Sequence, residues 1–221
     1  MPRKLRDLQK TDATAVDIPD AAFYMVAARS LMPDSKLGQW SRRNTFLYGG
    51  STLKLSHLYR TIDKLEQHRR ELIRYMNKQI AKHYDRVVTV ALYDVTTYWF
   101  ESQDADTLRN FGFSKDNKIN QVQVVMGLLI DQNGIPIDYE LFPSNTSEYG
   151  TMIPILRRLK EEYKLRRVIV TADRGLNSGP NLQQIRDMGL DYVIAYRLRN
   201  SGDAIRKLVT DENGWTYRRG S

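Results

Sequence analysis

The chain has 221 residues, 41% hydrophobic and 27% charged, with a net charge of +8 and no cysteine. Such a composition can bury the core of one ordinary domain with an appendage, or of part of a larger enzyme, and no uncharged apolar run is long enough for a membrane span or a signal peptide, so a cytoplasmic location is expected. The absence of cysteine excludes disulfides, thiol nucleophiles and cysteine-ligated zinc, and His57, His68 and His83 lack the spacing of a zinc-binding helix; any metal must be held by oxygen, which favours magnesium or manganese.

The positive excess comes largely as doublets, Arg42-Arg43, Arg69-Arg70, Arg157-Arg158, Arg166-Arg167, Arg206-Lys207 and Arg218-Arg219. A basic field of this kind suits a polyanion, through phosphate neutralisation and counterion release.

The first fifty residues say least. Ala21 to Leu31 reads as a short helix stopped by Pro33. From Ser51, Leu55, Leu58, Ile62, Leu65, Leu72, Ile73, Met76 and Ile80 recur at three- and four-residue steps, which predicts one long helix or two in succession with a Lys- and Arg-rich outer face. That face suits nucleic acid, and the leucines suit packing on a core.

Val87 to Thr97 is a β-branched run that reads as a strand buried on both faces and delivering a single carboxylate, Asp94, at its C-terminal end. Taken alone, Asp94 could equally cap the turn after the strand. Tyr98 to Ser102 then reads as a polar, aromatic stretch leading into a loop. Val122 to Ile130 is a strand, Asp131 to Gly134 a hairpin turn, and Ile135 to Phe142 a second strand in which Pro136 fits the start or an edge. Pro143 to Glu148 begins a helix with apolar positions at Met152, Ile153, Ile155, Leu156, Leu159 and Tyr163. Glu148 is a further candidate acid, although the helix dipole already explains an acid in a first turn.

Arg167 to Gly175 repeats the earlier pattern, a short β-branched run ending on Asp173, and a helix from about Pro180 to Met188, stopped by Gly189, leads to a strand from Tyr192 to Arg197. The order predicts an α/β fold, a mixed sheet flanked by helices and preceded by a helical N-terminal region, that changes from antiparallel to parallel halfway. Were the two acidic strands parallel neighbours, about 4.8 Å apart, both carboxylates would open onto one volume. Acids that close repel unless a cation lies between them, and a pair of divalent ions gripping a phosphodiester is chemistry that uses such a pair.

Several blocks in order carry a resemblance: Leu92-Tyr93-Asp94-Val95-Thr96-Thr97 with Trp99-Phe100-Glu101, Phe111 to Asp116, Gln121 to Leu128, Gly134-Ile135-Pro136, Asn145-Thr146-Ser147-Glu148, and Ala172-Asp173-Arg174-Gly175-Leu176. Over about Ser51 to Arg199 the chain resembles a DDE transposase of the IS4 superfamily, closest to its IS1634 group. The resemblance implies a ribonuclease-H-like core in which Asp94 and Asp173 are the first two metal-binding, catalytic carboxylates. It also implies two Mg²⁺ (or Mn²⁺) ions in the complete enzyme, double-stranded DNA as partner in the form of terminal inverted repeats and target, and a homodimer within the DNA complex. Lys115, Lys118 and Arg174 are candidate phosphate contacts by position.

On this reading residues 1–84 form the helical N-terminal region, a candidate for binding DNA ends, 85–200 an incomplete catalytic core, and 201–221 the opening of an inserted segment or a truncated tail. One departure stands out. The family needs a third carboxylate, a Glu within a Tyr, Arg, Glu and Lys signature; here Tyr196 and Arg199 are followed by Asp203 in place of Glu and by Thr210 in place of Lys, and Glu212 reads as part of a hairpin turn. The expectation is therefore a chain cut short and inactive in strand transfer by itself. Two alternatives are a DNA-binding remnant that represses an intact transposase and a haloacid-dehalogenase-type phosphatase, which would need an Asp at the position of Thr96.

Overall fold

The computed structural model describes residues 2–10, 16–46, 52–101, 104–111, 121–146, 148–163, 169–172, 176–196 and 202–211, and the chain divides into two compact units, Met1–Arg86 and Val87–Ser221.

The first unit is helical: α1 (Pro2–Lys10), α2 (Ile18–Leu31), α3 (Lys36–Ser41), a 3-10 turn at Arg43–Thr45, α4 (Leu55–Gln67) and α5 (Arg69–Tyr84). Helix α2 begins earlier than its apolar run because Asp17 caps it, the side chain accepting from Asp20 N at 3.0 Å with Pro19 in the first turn. Its inner face supplies Ala21, Tyr24, Met25 and Ala28 to a core completed by Leu53 and Leu58 and flanked by Trp40, Phe46 and Leu65. The polar tips in that core are satisfied by backbone: Tyr24 Oη donates to Gln39 O at 2.6 Å and Trp40 Nε1 to Leu53 O at 2.9 Å.

The long periodic segment is two helices. His68, at φ −108, departs from helical geometry between α4 and α5, though its N–H still reaches Lys64 O at 3.2 Å. Asp85, at φ 47, ends α5 in the left-handed conformation that Asp tolerates better than most side chains.

The second unit is a mixed α/β layer: strands β1 (Val90–Phe100), β2 (Asn110–Phe111), β3 (Val122–Asp131), β4 (Pro136–Pro143), helix α6 (Glu148–Glu161), β5 (Ile169–Ala172), α7 (Gly179–Asp187), β6 (Asp191–Ile194) and α8 (Asp203–Thr210). The sheet runs β2-β3-β1-β5-β6, with β4 sharing the outer edge of β3 with β2. Pairs β1/β3 and β3/β4 are antiparallel, while β1/β5 and β5/β6 are parallel. This is the ribonuclease-H-like arrangement, with the change of direction at β1. Pro136 opens β4, where a missing N–H costs least.

The β3–β4 turn is held by one buried acid: Asp131 Oδ1 accepts from Asn133 N and Ile135 N, both at 2.9 Å, and Gly134 supplies the positive φ of 76°. The next residue clamps the entry to β1. Gln132 Oε1 accepts from Thr89 N at 3.2 Å and Val90 N at 3.4 Å, and its Nε2 donates to Val87 O at 2.6 Å. A side chain thus satisfies backbone that the composition of Val87-Val88-Thr89 assigns to the strand, and β1 begins at Val90.

Two expectations for β1 need correction. The strand does not stop at Asp94 but continues to Phe100, along a full antiparallel register from Ala91↔Asp131 to Phe100↔Val122, so Asp94 is a mid-strand residue. Nor is β1 buried on both faces: Ala91 and Tyr93 are buried, whereas Leu92, Asp94, Thr96, Tyr98 and Phe100 are exposed. A half-covered strand alternates in this way, and here the β-branched composition disguised the period of two.

The covered face carries the core of Ala91, Tyr93, Leu129, Ile137 and Val170 under Met152, Ile155, Leu156 and Leu159 of α6 and Ile185 of α7. Pro154 lies inside α6, where its missing N–H leaves the carbonyl of Gly150, one turn earlier, without a helical partner. Packing of the surrounding apolar residues outweighs that loss. Ser178 caps α7, and Gly189, at φ 67, ends it as expected. Asp203, which stands in place of the signature's Glu, is the exposed first residue of α8, Tyr196 is exposed beyond β6, and Arg199 and Glu212 lie outside the described residues.

Candidate active site

Asp94 is presented on the sheet face away from α6 and α7. Residues two apart on a strand share a face, so Leu92 and Thr96 flank it along β1, and the antiparallel register sets Leu128 opposite on β3. A shallow groove there is lined by Leu92, Tyr93, Asp94, Leu128, Ile130, Thr171 and Ala172. One carboxylate among aliphatic side chains is an environment in which a cation is held with little competition from other protein charges.

The parallel pairing of β1 with β5 runs Val90↔Ile169, Ala91↔Val170, Leu92↔Thr171 and Tyr93↔Ala172. The residue after the last pair is Asp94 in one strand and Asp173 in the other. Asp173 and the candidate phosphate contacts Lys115, Lys118 and Arg174 lie outside the described residues, and so does the side chain of Glu148, the first residue of α6.

Sequence reasoning missed Thr171. It pairs with Leu92, hence faces the same groove as Asp94, and its hydroxyl is buried without a hydrogen-bond partner among the described residues. Its signal was parity: it stands two residues before Asp173, as Leu92 stands two before Asp94. The donors described at the groove are oxygen only, a carboxylate and an orphan hydroxyl, which fits a hard divalent ion such as magnesium or manganese and not a thiolate-seeking metal. Among the described residues no three His, Cys, Asp or Glu side chains gather as a ready-made metal cluster, so Asp94 is the acid of the described groove.

Behind Asp94, on the covered face, a second polar group was equally invisible in the sequence. Tyr93 is 2% exposed, and its phenol reaches under β3 so closely that a Cβ on Gly127 would stand 2.2 Å from its oxygen. Only glycine leaves that space. Nearby, Arg158 of α6 bridges two acids of β4, with Nε 2.9 Å from Asp138 Oδ2 and Nη1 3.1 Å from Glu140 Oε2. The strand that carries Asp94 thus packs its own Tyr93 against Gly127 of β3, and the strand beyond β3 is tied to α6 by charge.

Burial pushes the Tyr93 hydroxyl up to about 12, and the negative charges of Asp94 and Glu140 act in the same direction. The folded protein therefore holds this proton more tightly than the unfolded chain does. The associated stability is complete below pH 10 and falls as pH rises towards 12, by roughly 3 kcal/mol in all. Denaturant titrations at pH 9 and pH 11.5 are expected to show this loss in the native sequence and its absence in Tyr93→Phe; an equal alkaline loss in both would remove Tyr93 as the cause.

A family model described as "Transposase DDE domain" matches residues 89–218. No curated protein matches the chain. Among solved structures, the chain is similar to the Mos1 transposase paired-end complex with the left transposon end, at 12% identity, a TM-score of 0.34, and coverage of 86% of this chain and 69% of that one. It is also similar to the piggyBac transposase synaptic complex with hairpin DNA, at 13% identity and a TM-score of 0.47, covering 90% of this chain and 44% of that one. A third, the Mos1 mariner paired-end complex with Mn, has 13% identity, a TM-score of 0.32, and coverage of 95% and 70%.

Proposed function

The chain belongs to the transposase DDE domain family, and from that premise we propose that it is the catalytic part of an insertion-sequence transposase, of the IS4 superfamily and its IS1634-like group, which cuts and joins DNA at element ends. The observation that carries the reading is the β1/β5 register, whose last described pair, Tyr93↔Ala172, immediately precedes Asp94 and Asp173 in sequence.

In this proposal the carboxylates of Asp94 and Asp173 hold divalent cations, magnesium or manganese. When bound, those ions supply Lewis-acid activation of a water or 3′ hydroxyl and neutralise the leaving oxygen. The chain's own part is positional. Mid-strand placement of Asp94, paired with Leu128 of β3 and directly after the last described β1/β5 pair, fixes its backbone, so the carboxylate loses little entropy on engaging a cation. Leu92, Leu128 and Ile130 wall the groove and limit water around it. Lys115, Lys118 and Arg174 contact phosphates.

The substrate is double-stranded DNA with terminal inverted repeats, joined to a target by a homodimer. No helix among the described residues is long and apolar enough to cross a membrane, and a cytoplasmic site of action completes the proposal. The third carboxylate of the family's triad has no match in its signature here, Asp203 and Thr210 standing where Glu and Lys belong. Strand transfer by this chain alone should therefore be weak, with one of three anionic ligands absent.

The test is incubation of the purified chain with an end-bearing duplex and Mn²⁺, read on a denaturing gel beside a Mn²⁺ titration followed by electron paramagnetic resonance. Saturable Mn²⁺ binding with slow, EDTA-sensitive nicking is expected. Neither Mn²⁺ binding nor nicking would remove the catalytic reading, and efficient strand transfer would remove the incomplete triad.

A further inference from the structure

We infer that Thr171 is a positioning residue of the cation site at Asp94, its hydroxyl placed to donate a hydrogen bond to an oxygen that gathers around a divalent ion there. The inference rests on the metal-dependent reading above and deepens it, by naming a residue other than the carboxylates on which that site depends.

Thr171 lies in β5, the strand between β1 and β6, and is paired with Leu92 on one side and Val193 on the other. With a ladder on each side, the backbone N–H and C=O groups of this stretch are engaged between strands, and the hydroxyl finds no main-chain partner beside it. Parity places Ile169, Leu92 and Val193 around it on the open face, all three aliphatic and exposed. None of them can accept a hydrogen bond. The hydroxyl oxygen is nevertheless buried, and no partner meets it among the described residues.

For folding alone, valine would serve better at this position. It has the shape of threonine and the strand preference of the neighbouring Ile169 and Val170, without a hydroxyl whose unpaired burial is unfavourable. A group that costs stability in a lined groove points to a partner that arrives when the groove is filled. The polar side chain that shares this groove is Asp94. It stands two residues beyond Leu92, so its Cα lies diagonally about 8 Å from that of Thr171. Two short side chains cannot bond directly over that separation, but one small ligand fits between them. An anion would be repelled by Asp94, and an apolar ligand would leave the hydroxyl unpaired. A divalent ion suits both groups: the carboxylate supplies charge, and a donor beside it orients the oxygens that surround the ion, as outer-shell partners of metal sites do.

The experiment pairs a Mn²⁺ titration followed by electron paramagnetic resonance with thermal melts of the cation-free chain in EDTA, on the native sequence, Thr171→Val and Thr171→Ser. Thr171→Val is expected to bind Mn²⁺ about 10- to 100-fold more weakly. Its cation-free melting temperature should nevertheless rise, by about 2 to 6 °C, because the unpaired hydroxyl is gone. Thr171→Ser keeps the hydroxyl and loses a methyl group, so it should bind Mn²⁺ as the native chain does and melt lower. The opposed signs separate a positioning role from a structural one. Native Mn²⁺ affinity in Thr171→Val overturns the inference and leaves Asp94 standing as a ligand. Weaker binding and a lower melting temperature together in Thr171→Val, with Thr171→Ser binding no better, also overturn it, because packing would then be the cause. Absence of saturable Mn²⁺ binding by the native chain overturns the inference together with the reading it rests on.

Discussion

Asp94→Asn is expected to abolish saturable Mn²⁺ binding and to lower Mn²⁺-dependent nicking by at least about 100-fold, more than is commonly lost on removing an outer-shell partner of a metal ligand. The substitution keeps size and hydrogen-bonding capacity but removes the charge that a divalent ion needs. Stability should hardly change, for Asp94 is exposed on its strand and is not part of the apolar core on the other face. That separation makes the result diagnostic: a general structural role would lower stability and activity together, a ligand role activity alone. Thermal melts beside the metal titration decide it, and full Mn²⁺ binding by the variant would leave Asp94 a surface residue.

Arg158→Leu is expected to act in the opposite way, costing about 3 to 5 kcal/mol of stability, or roughly 10 °C in melting temperature. The Asp138 side chain is 1% exposed and that of Glu140 18%, so without the guanidinium two carboxylates are left on the covered face of the sheet. The cost is that of buried carboxylates deprived of their guanidinium partner. Replacing Asp138 by Leu together with Arg158 should recover much of it, because the charges then leave as a pair. If Arg158→Leu alone melted within 2 °C or so of the native protein, the bridge would contribute nothing measurable beyond ordinary surface pairs.

The sheet's order of elements was legible because each strand carries local punctuation: Gly134 at the hairpin, Pro136 at the edge, Ser178 and Gly189 at the two ends of α7. The extent of β1 was not. Val87 to Thr89 have strand composition but meet the side chain of Gln132, more than forty residues away, and Tyr98 to Phe100 look like a loop until their pairing with Val122 to Val124 supplies the hydrogen bonds. Helices α1, α3 and α8 were also missed, being short or weakly patterned, and their formation owes as much to context as to propensity.

At the candidate site, Asp94 announced itself as an acid ending a β-branched run, a costly placement that asks for a partner. Thr171 and Tyr93 gave no such sign, since a hydroxyl in a strand is ordinary until its face is known. The sequence by itself determined the types of the longer elements, the two strand-associated acids and the basic, cysteine-free chemistry, because these depend on composition and short-range periodicity. Tertiary structure alone decided that β1 is covered on one face only, that Tyr93 needs Gly127, and that Arg158 ties Asp138 to Glu140. Those facts depend on which distant segments meet, and local patterning does not encode the register or the covered face.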